Sequence, residues 1–409
     1  MMESMDMRET PPVPVLSTTL GLDDVAIARL WLGKPTQQWN NLHLVEQWEQ
    51  MFAQWLGVHT VTAWLGGRAS LYAAIEALGL QAGDEVILPA FTCQCVVNAF
   101  SFHGIEVRYA DIEAQTYGME AVSAAQAITP RTKAILLQYT FGLVSRDIEA
   151  LLDLAHKHHL YVIEDCAHAL GASWQGKPVG TFGDLAIFSS ERSKIINTIH
   201  GGMVTTNSPE IAERLKALTQ QALLPDPEKT RKLLNTVIHN YYVYADPDRR
   251  QHAELVEKKY TGQILPQMFP EEFEGIFIPH YTERINAPIA ALSLNQFSKI
   301  QYFHLRRMKA AQHWDRWCDQ NGYQKPLVIE NSEPAFLRYP VCISEEKKRN
   351  LEWVEQELNV TPGVWFTSAA HPKPLELVHC PVGAKAAREC INLPTLLPED
   401  YECKYSQSP

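Results

Sequence analysis

The sequence predicts an α/β protein in which a parallel sheet is wrapped by helices and followed by a smaller α+β domain. From about Trp64 to Asn207, helical and strand patterns alternate with short turns between them. One strand pattern, Leu160-Tyr161-Val162-Ile163, is a continuous apolar run of the kind buried on both faces. Length agrees: at roughly 150 residues per domain, 409 residues make two or three domains, with cores large enough to need no disulfide or metal staple.

Taken in order, Gly66-Gly67 open a helix whose Leu71, Ala74, Ile75 and Leu78 fall on one face, and Gly79 to Asp84 end it. Glu85 to Leu88 reads as a strand stopped by Pro89. A second strand, Ala134 to Gln138, leads through a turn at Gly142 into a helix starting near Ser145, with Ile148, Leu151, Leu152 and Ala155 on one side. The apolar run at Leu160 to Ile163 ends in Glu164-Asp165, at the strand end where open sheets of this class place their ligands. Gly176 to Gly180 is a turn, followed by strands at Leu185 to Ser190 and Met203 to Thr206.

The stretch from Gln221 to His280 changes character. Pro225, Pro227, Pro247, Pro266, Pro270 and Pro279 interrupt it and Tyr241, Tyr242 and Tyr244 cluster in its middle, which marks an insertion, arm or lid. From about Ala287 a long helical region runs through Trp317, then a strand at Leu337 to Ile343 and a helix at Glu345 to Leu358. The expected division is a large domain over 1–286, carrying the insertion at 221–280, and a small α+β domain over 287–409.

Charge and composition narrow the function. Lys and Arg number 36 against 47 Asp and Glu, a net charge of −11, which argues against a general electrostatic grip on nucleic acid or an anionic bilayer. No run approaches the roughly 18 to 20 apolar residues of a membrane span, and Met1 to Thr10 carries Glu3, Asp6 and Glu9 where a signal peptide would be basic. The expected compartment is the cytoplasm. The eight cysteines (Cys93, Cys95, Cys166, Cys318, Cys342, Cys380, Cys390 and Cys403) are scattered among apolar residues, as reduced thiols are. Cys93-x-Cys95 has no second pair to complete a zinc site, so no metal is expected.

Asp165, at the end of an apolar strand, requires a cationic or hydrogen-bonding partner; a helix cap or internal salt bridge is the plain reading. Lys194 follows 29 residues later in a turn and, taken alone, is a surface lysine. Gly66-Gly67 offer free backbone N–H groups to an anion, and Ser189 and Ser190 leave a buried strand near Lys194. Each signal is weak alone. A helix-start anion site, an acid and a downstream lysine at the strand ends of one sheet are together the groups that pyridoxal 5′-phosphate (PLP) requires for its phosphate, ring nitrogen and aldehyde.

The run of residues also resembles the DegT/StrS sugar aminotransferases, a branch of the fold-type-I PLP enzymes. The likeness lies in Trp64 to Leu80, Gly83 to Pro89, Thr129 to Gly142, Val162 to Ala172, Gly180-Thr181-Phe182-Gly183-Asp184 and Gly201-Gly202-Met203-Val204, and returns at Arg284, Gln296 and Asn392-Leu393-Pro394-Thr395. Lys194 stands seven residues before Gly201, the family's spacing. A dehydratase offshoot has histidine in place of this lysine, so its retention favours transamination.

The resemblance implies a mostly parallel seven-stranded sheet between helices. It implies that Lys194 joins the cofactor's aldehyde and moves the substrate proton, and that Asp165 pairs with the ring N–H. His168, where the family usually has Gln, would lie near the ring's 3-hydroxyl. Gly67, Arg68 and Ser189 would hold the phosphate, Arg68 replacing a threonine hydroxyl with a cation, and Cys93 would take the place of an aromatic side chain stacked on the ring. Thr282 stands where the family sends an asparagine from the partner subunit to the phosphate, with Asn286 a nearby substitute, so a homodimer with shared sites is implied. Ile199-His200 replaces the family's Gly-Glu and has no explanation at this level.

The implied reaction takes an amino group from an amino acid, glutamate being the expected donor, to a nucleotide-linked keto-sugar, in polysaccharide or secondary-metabolite sugar biosynthesis. The alternatives are PLP chemistry on a non-sugar ketone or a dehydration, and a non-catalytic PLP-binding regulator. The last is disfavoured because no basic DNA-binding segment is present.

Overall fold

The computed structural model describes residues 11–16, 19–246, 248–399 and 401; Met1 to Thr10 and Cys403 lie outside them. Seven strands form the central sheet: β1 (Thr60–Trp64), β2 (Glu85–Pro89), β3 (Glu106–Ala110), β4 (Thr132–Gln138), β5 (Tyr161–Asp165), β6 (Leu185–Ser189) and β7 (Gly202–Thr206). Their order is β1-β7-β6-β5-β4-β2-β3. Only β7 runs against the others, pairing antiparallel with β1 and β6, while β6, β5, β4, β2 and β3 are joined in parallel. The expected mostly parallel seven-stranded sheet is present. It brings the C-terminal ends of β4, β5 and β6 side by side, so that Gln138 and Asp165 are register partners and Ser189 ends the next strand.

Helices cover both faces because the strands are apolar on both. Ile163, Ile187 and Val204 face the helix Gly67–Leu78 in one core cluster. On the other face Phe188 packs edge-on to Phe52 at 5.1 Å, in an aromatic cluster with Trp48 and Phe297. That second cluster draws in the helices Leu22–Leu32, His43–Leu56 and Ala287–Ser298, none of whose packing the sequence pattern placed. A further core around Trp314, Tyr339, Val354 and Leu393 unites the helix Ile300–Asn321 with the antiparallel pair Arg338–Cys342 and Cys390–Pro394.

Several expected boundaries move for local reasons. The helix expected near Ser145 begins at Ile148, with Asp147 before it, and the Ser145 carbonyl accepts the Ile148 amide. The single helix expected over Glu345 to Leu358 is two, Glu345–Arg349 and Glu352–Leu358. Asn350 stands between them, and its side chain accepts the Glu352 amide and competes with the backbone ladder. The long helical region from Ala287 breaks at Lys299. The proline-interrupted stretch is mostly helical: Pro227–Asn240 and Arg249–Tyr260, then a short turn of helix at Pro270–Phe273, with Pro227 and Pro270 at helix starts, where their missing N–H costs nothing. Among the described residues no helix is long and apolar enough to cross a membrane.

Candidate active site

The end of β5 sets the site. Side chains alternate along a strand, so Glu164 and Asp165 point to opposite faces of the sheet. Glu164 is wholly buried and fully satisfied: the amides of Gly180, Phe182 and Gly183 donate to its carboxylate at 2.7 Å each, and the Tyr139 hydroxyl donates as well. This explains the Gly180-Thr181-Phe182-Gly183-Asp184 motif: it is a backbone clamp. Asp165, 5% exposed, accepts one hydrogen bond, from the Ala167 amide at 3.0 Å, and otherwise faces a cavity. Burial raises its pKa, only partly offset by the Ala167 amide and by the charge of Lys194.

Lys194 enters the same cavity from the irregular segment between β6 and β7. Cross-bonds hold that segment in place: Ser190 and Gly201 pair through 2.8 Å, the Lys194 amide donates to the Glu191 carbonyl, and the Asn197 amide donates to Gln296 at 3.0 Å. Gln296 in turn donates to Asp24 and to the Thr19 carbonyl, which ties the lysine segment to the amino-terminal layer. The Lys194 amine lies 4.9 Å from the centre of the Trp365 ring, and among the described residues it makes no ion pair.

Trp365 and His168 form a stacked wall, with ring centres 5.0 Å apart and planes 9° from parallel. The His168 Nδ1 accepts the Phe141 amide at 3.2 Å, so its Nε2 carries the proton and is the donor. Burial, then the charges of Lys194 and Arg338, push its pKa well down and keep the ring neutral. Arg338 lies 3.5 Å from the Trp365 ring centre and donates to Asn392, which itself donates to the Trp365 carbonyl. The Asn392-Leu393-Pro394-Thr395 motif therefore braces the wall of the cavity. Cys93 also lines the cavity, accepting the Cys95 thiol proton at 3.2 Å. That bond lowers its pKa against the effect of burial.

The cavity holds about 430 Å³ and continues into a recess of about 60 Å³ bounded by Gly66, Gly67, Ser189 and His200. Gly67 is required there, since a Cβ would come within 2.9 Å of the Ser189 Cβ. The first amides of the helix have no acceptor within it and open onto this recess.

Arg68 behaves differently from its expectation as a spare cation. Its guanidinium donates twice to the buried Glu272 at 2.6 and 2.7 Å, to Glu191 at 3.1 Å and to the Gln267 carbonyl. Burial opposes its charge, and the two carboxylates more than restore it. Glu272 belongs to the inserted stretch, whose Gln267, Met268 and Phe273 also line the cavity. The single chain does not bring Thr282 to the cavity; its hydroxyl donates to the Pro279 carbonyl in its own turn. Asn286 is likewise engaged, donating to Thr230.

These groups fit PLP. Asp165 is a buried carboxylate with a single hydrogen bond, suited to a ring N–H; Lys194 is an uncommitted amine in the same cavity; Gly67, the Arg68 amide and Ser189 form an anion cradle beside both. Sequence reasoning missed Trp365, Arg338, Gln138, Glu191 and Glu272. Two of them had a sequence signal: Gln138, at the end of an expected strand within the Thr129 to Gly142 run, and Arg338, through the Asn392 motif across its strand pair.

A model of the DegT/DnrJ/EryC1/StrS aminotransferase family matches residues 32–399. GDP-perosamine synthase of Vibrio cholerae is 37% identical over 257 residues, 59% of this chain and 68% of that protein. The L-glutamine:scyllo-inosose aminotransferase of Streptomyces griseus is 35% identical over 345 residues, 83% of this chain and 72% of that protein. The match to GDP-perosamine synthase of Caulobacter vibrioides, 37% identical, spans 44% of this chain and about half (49%) of that protein. Among solved structures, Helicobacter pylori PseC, an aminotransferase involved in pseudoaminic acid biosynthesis, aligns with a TM-score of 0.72 at 19% identity, covering 95% of this chain and 96% of that one. Bacillus subtilis NtdA, solved with PMP bound, aligns at 0.71 and 20% identity over 97% and 83%. These two likenesses carry the fold.

Proposed function

Because the chain belongs to the DegT/DnrJ/EryC1/StrS aminotransferase family, we propose that it is a PLP-dependent aminotransferase moving an amino group from an amino acid to a nucleotide-linked keto-sugar. The observation that carries this reading is the convergence of Asp165 and Lys194 on one cavity, the carboxylate with one hydrogen bond and the amine with no ion partner among the described residues. When bound, PLP supplies an aldehyde that carries nitrogen between two substrates and a ring that accepts electrons from the reacting carbon.

Asp165 keeps a proton on the ring nitrogen, and burial strengthens that pairing because no water competes for the carboxylate. Lys194 would anchor the cofactor, and its amine would take and return the proton of the substrate carbon. His168 donates its Nε2–H to the ring oxygen, and Trp365 fixes the imidazole plane. Gly67, the Arg68 amide and Ser189 hold the phosphate. Gln267, Met268 and Phe273 form the wall that the acceptor meets.

The amino donor is glutamate and the working unit a homodimer with shared sites, Thr282 lying near the interface. The protein works in a reducing compartment, the cytoplasm, which suits the seven free thiols of the described residues. A second acceptor, a free keto-cyclitol, is favoured by the relative whose alignment spans 83% of the chain, named for scyllo-inosose.

The deciding experiment loads the protein with pyridoxamine phosphate and adds nucleotide keto-sugars and keto-cyclitols in turn, watching for the absorbance of regenerated PLP. Return with a nucleotide keto-sugar supports the first acceptor, and return with a cyclitol alone replaces it with the second. No return with any ketone, from protein that binds the cofactor, overturns the transferase reading. Sedimentation of the full chain checks the dimer.

A further inference from the structure

His200 is the residue for which the sequence offered no role, and the structure places it in the lining of the recess at Gly66 and Gly67, with His280 against it and close to Gly66 at the rim. His200 is 1% exposed, and neither of its ring nitrogens makes a well-formed hydrogen bond, the Pro266 carbonyl acting on the ring only weakly. His280 is 2% exposed, and its ring centre lies 4.9 Å from that of His200. The His280 Nδ1 faces the Glu283 carboxylate at 3.7 Å, while its Nε2 is unpartnered and lies 3.5 Å from where a Cβ on Gly66 would stand. One buried imidazole, His200, therefore lines the recess at the first amides of the Gly67–Leu78 helix, and the Nε2 of a second, His280, stands without a partner beside Gly66.

A buried polar atom left unpaired is costly, so this pair calls for a ligand. The guanidinium expected to serve the recess is otherwise engaged: Arg68 is bound to Glu272 and Glu191, and Glu191 itself borders the recess. We propose that His200 and His280 are ligands of the cofactor's phosphate, completing the cradle made by the Gly67 and Arg68 amides and the Ser189 hydroxyl. This rests on the PLP reading above and adds two binding residues to it.

The charged groups facing the pair are Arg68 from the helix start, Arg192 from the lysine segment, Glu283 from the turn that carries His280, and Lys229 from the helix Pro227–Asn240. The Pro266 carbonyl acts weakly on His200. Burial, aided by the neighbouring cations, holds both histidines neutral without a ligand, with Glu283 partly opposing this at His280. A phosphate dianion against them reverses that balance, so cofactor binding should take up protons.

The test titrates cofactor-free, full-length protein with PLP and with pyridoxal, which lacks the phosphate, following tryptophan fluorescence. His200→Leu and His280→Leu should each weaken PLP binding about 10-fold or more, the scale of a lost hydrogen bond to a charged group, and leave pyridoxal binding within about 2-fold. Equal loss for both ligands, or no loss for either, overturns the assignment. If the leucine variants do not fold, His200→Gln and His280→Gln serve, read by calorimetry in two buffers of different ionisation enthalpy. Wild type should take up more protons on binding PLP than the double glutamine variant, and equal uptake refutes the pair. Protein that binds PLP through Lys194 while ignoring these substitutions sinks this inference alone; protein that never binds PLP sinks the function on which it rests.

Discussion

The two ends of the cavity are built on different terms. At the end proposed for the ring, Lys194, Asp165 and His168 line one cavity, and each has a partner or an unmet need that would suit the cofactor. At the end proposed for the phosphate the arrangement departs from the family pattern: Arg68 is bound to two carboxylates, one of them from the insertion, His200 lines the recess, and His280 stands behind it against Glu283. The chemistry needs particular atoms at the ring, whereas an anion accepts any well-placed donors. The first end is thus constrained by reaction and the second only by charge and geometry.

That contrast can be broken or sharpened by substitution. Lys194→Ala should lower turnover by about 10³-fold or more, while leaving pyridoxamine phosphate bound; turnover near wild type would mean the two ends are equally replaceable.

Asp165→Asn should slow both half-reactions by roughly 10²-fold or more, since the charge that holds the ring proton is lost. The same change should stabilise cofactor-free protein at neutral pH by about 2 °C in Tm, a shift on the order of 1 kcal/mol. Its sign follows from linkage: a carboxyl whose folded pKa is raised favours the fold fully below the ordinary carboxylate value, and the advantage is lost as pH rises through the raised one. Melting curves at pH 7 and near pH 3.5 should therefore differ between variant and wild type only at the higher pH.

At the other end, Glu272→Gln should tighten PLP binding by about 2- to 5-fold, because it frees part of the Arg68 charge. It should also lower Tm by breaking a buried pair; fluorescence titration and thermal melting read the two effects. The smallest expected effect is at His168→Gln, a change within about 3-fold in kcat, since an amide can also donate to the ring oxygen. A larger loss would show that the stack on Trp365, not the donor alone, matters.

Legibility followed the same divide. The strands β2, β4, β5, β6 and β7 and the ends of β5 and β6 were readable because apolar runs and turn residues report burial and chain reversal directly, whereas the roles expected of Asp165 and Lys194 came from the family resemblance and not from periodicity. The helix starting at Gly67 was readable from its face of Leu71, Ala74, Ile75 and Leu78, all of them buried. The Arg68–Glu272 pair was not, because 204 residues separate its members and Glu272 lies in the inserted stretch, outside the runs that carry the resemblance. Trp365 was invisible for a related reason: its position depends on Asn392 and Arg338 reaching it from a separate strand pair. His200 was noticed and left unexplained, since its neighbour His280 comes from the far end of the insertion.

The clamp on Glu164 gives β5 a built-in index. If the strand slid by one residue, Asp165 would turn toward the three waiting amides and Glu164 toward the cavity. The shorter carboxylate would have to span the gap to Gly180, Phe182 and Gly183, and the longer one would crowd the ring. A mispaired chain could not mimic the native one cheaply, so proofreading of the sheet and placement of the acid are a single event.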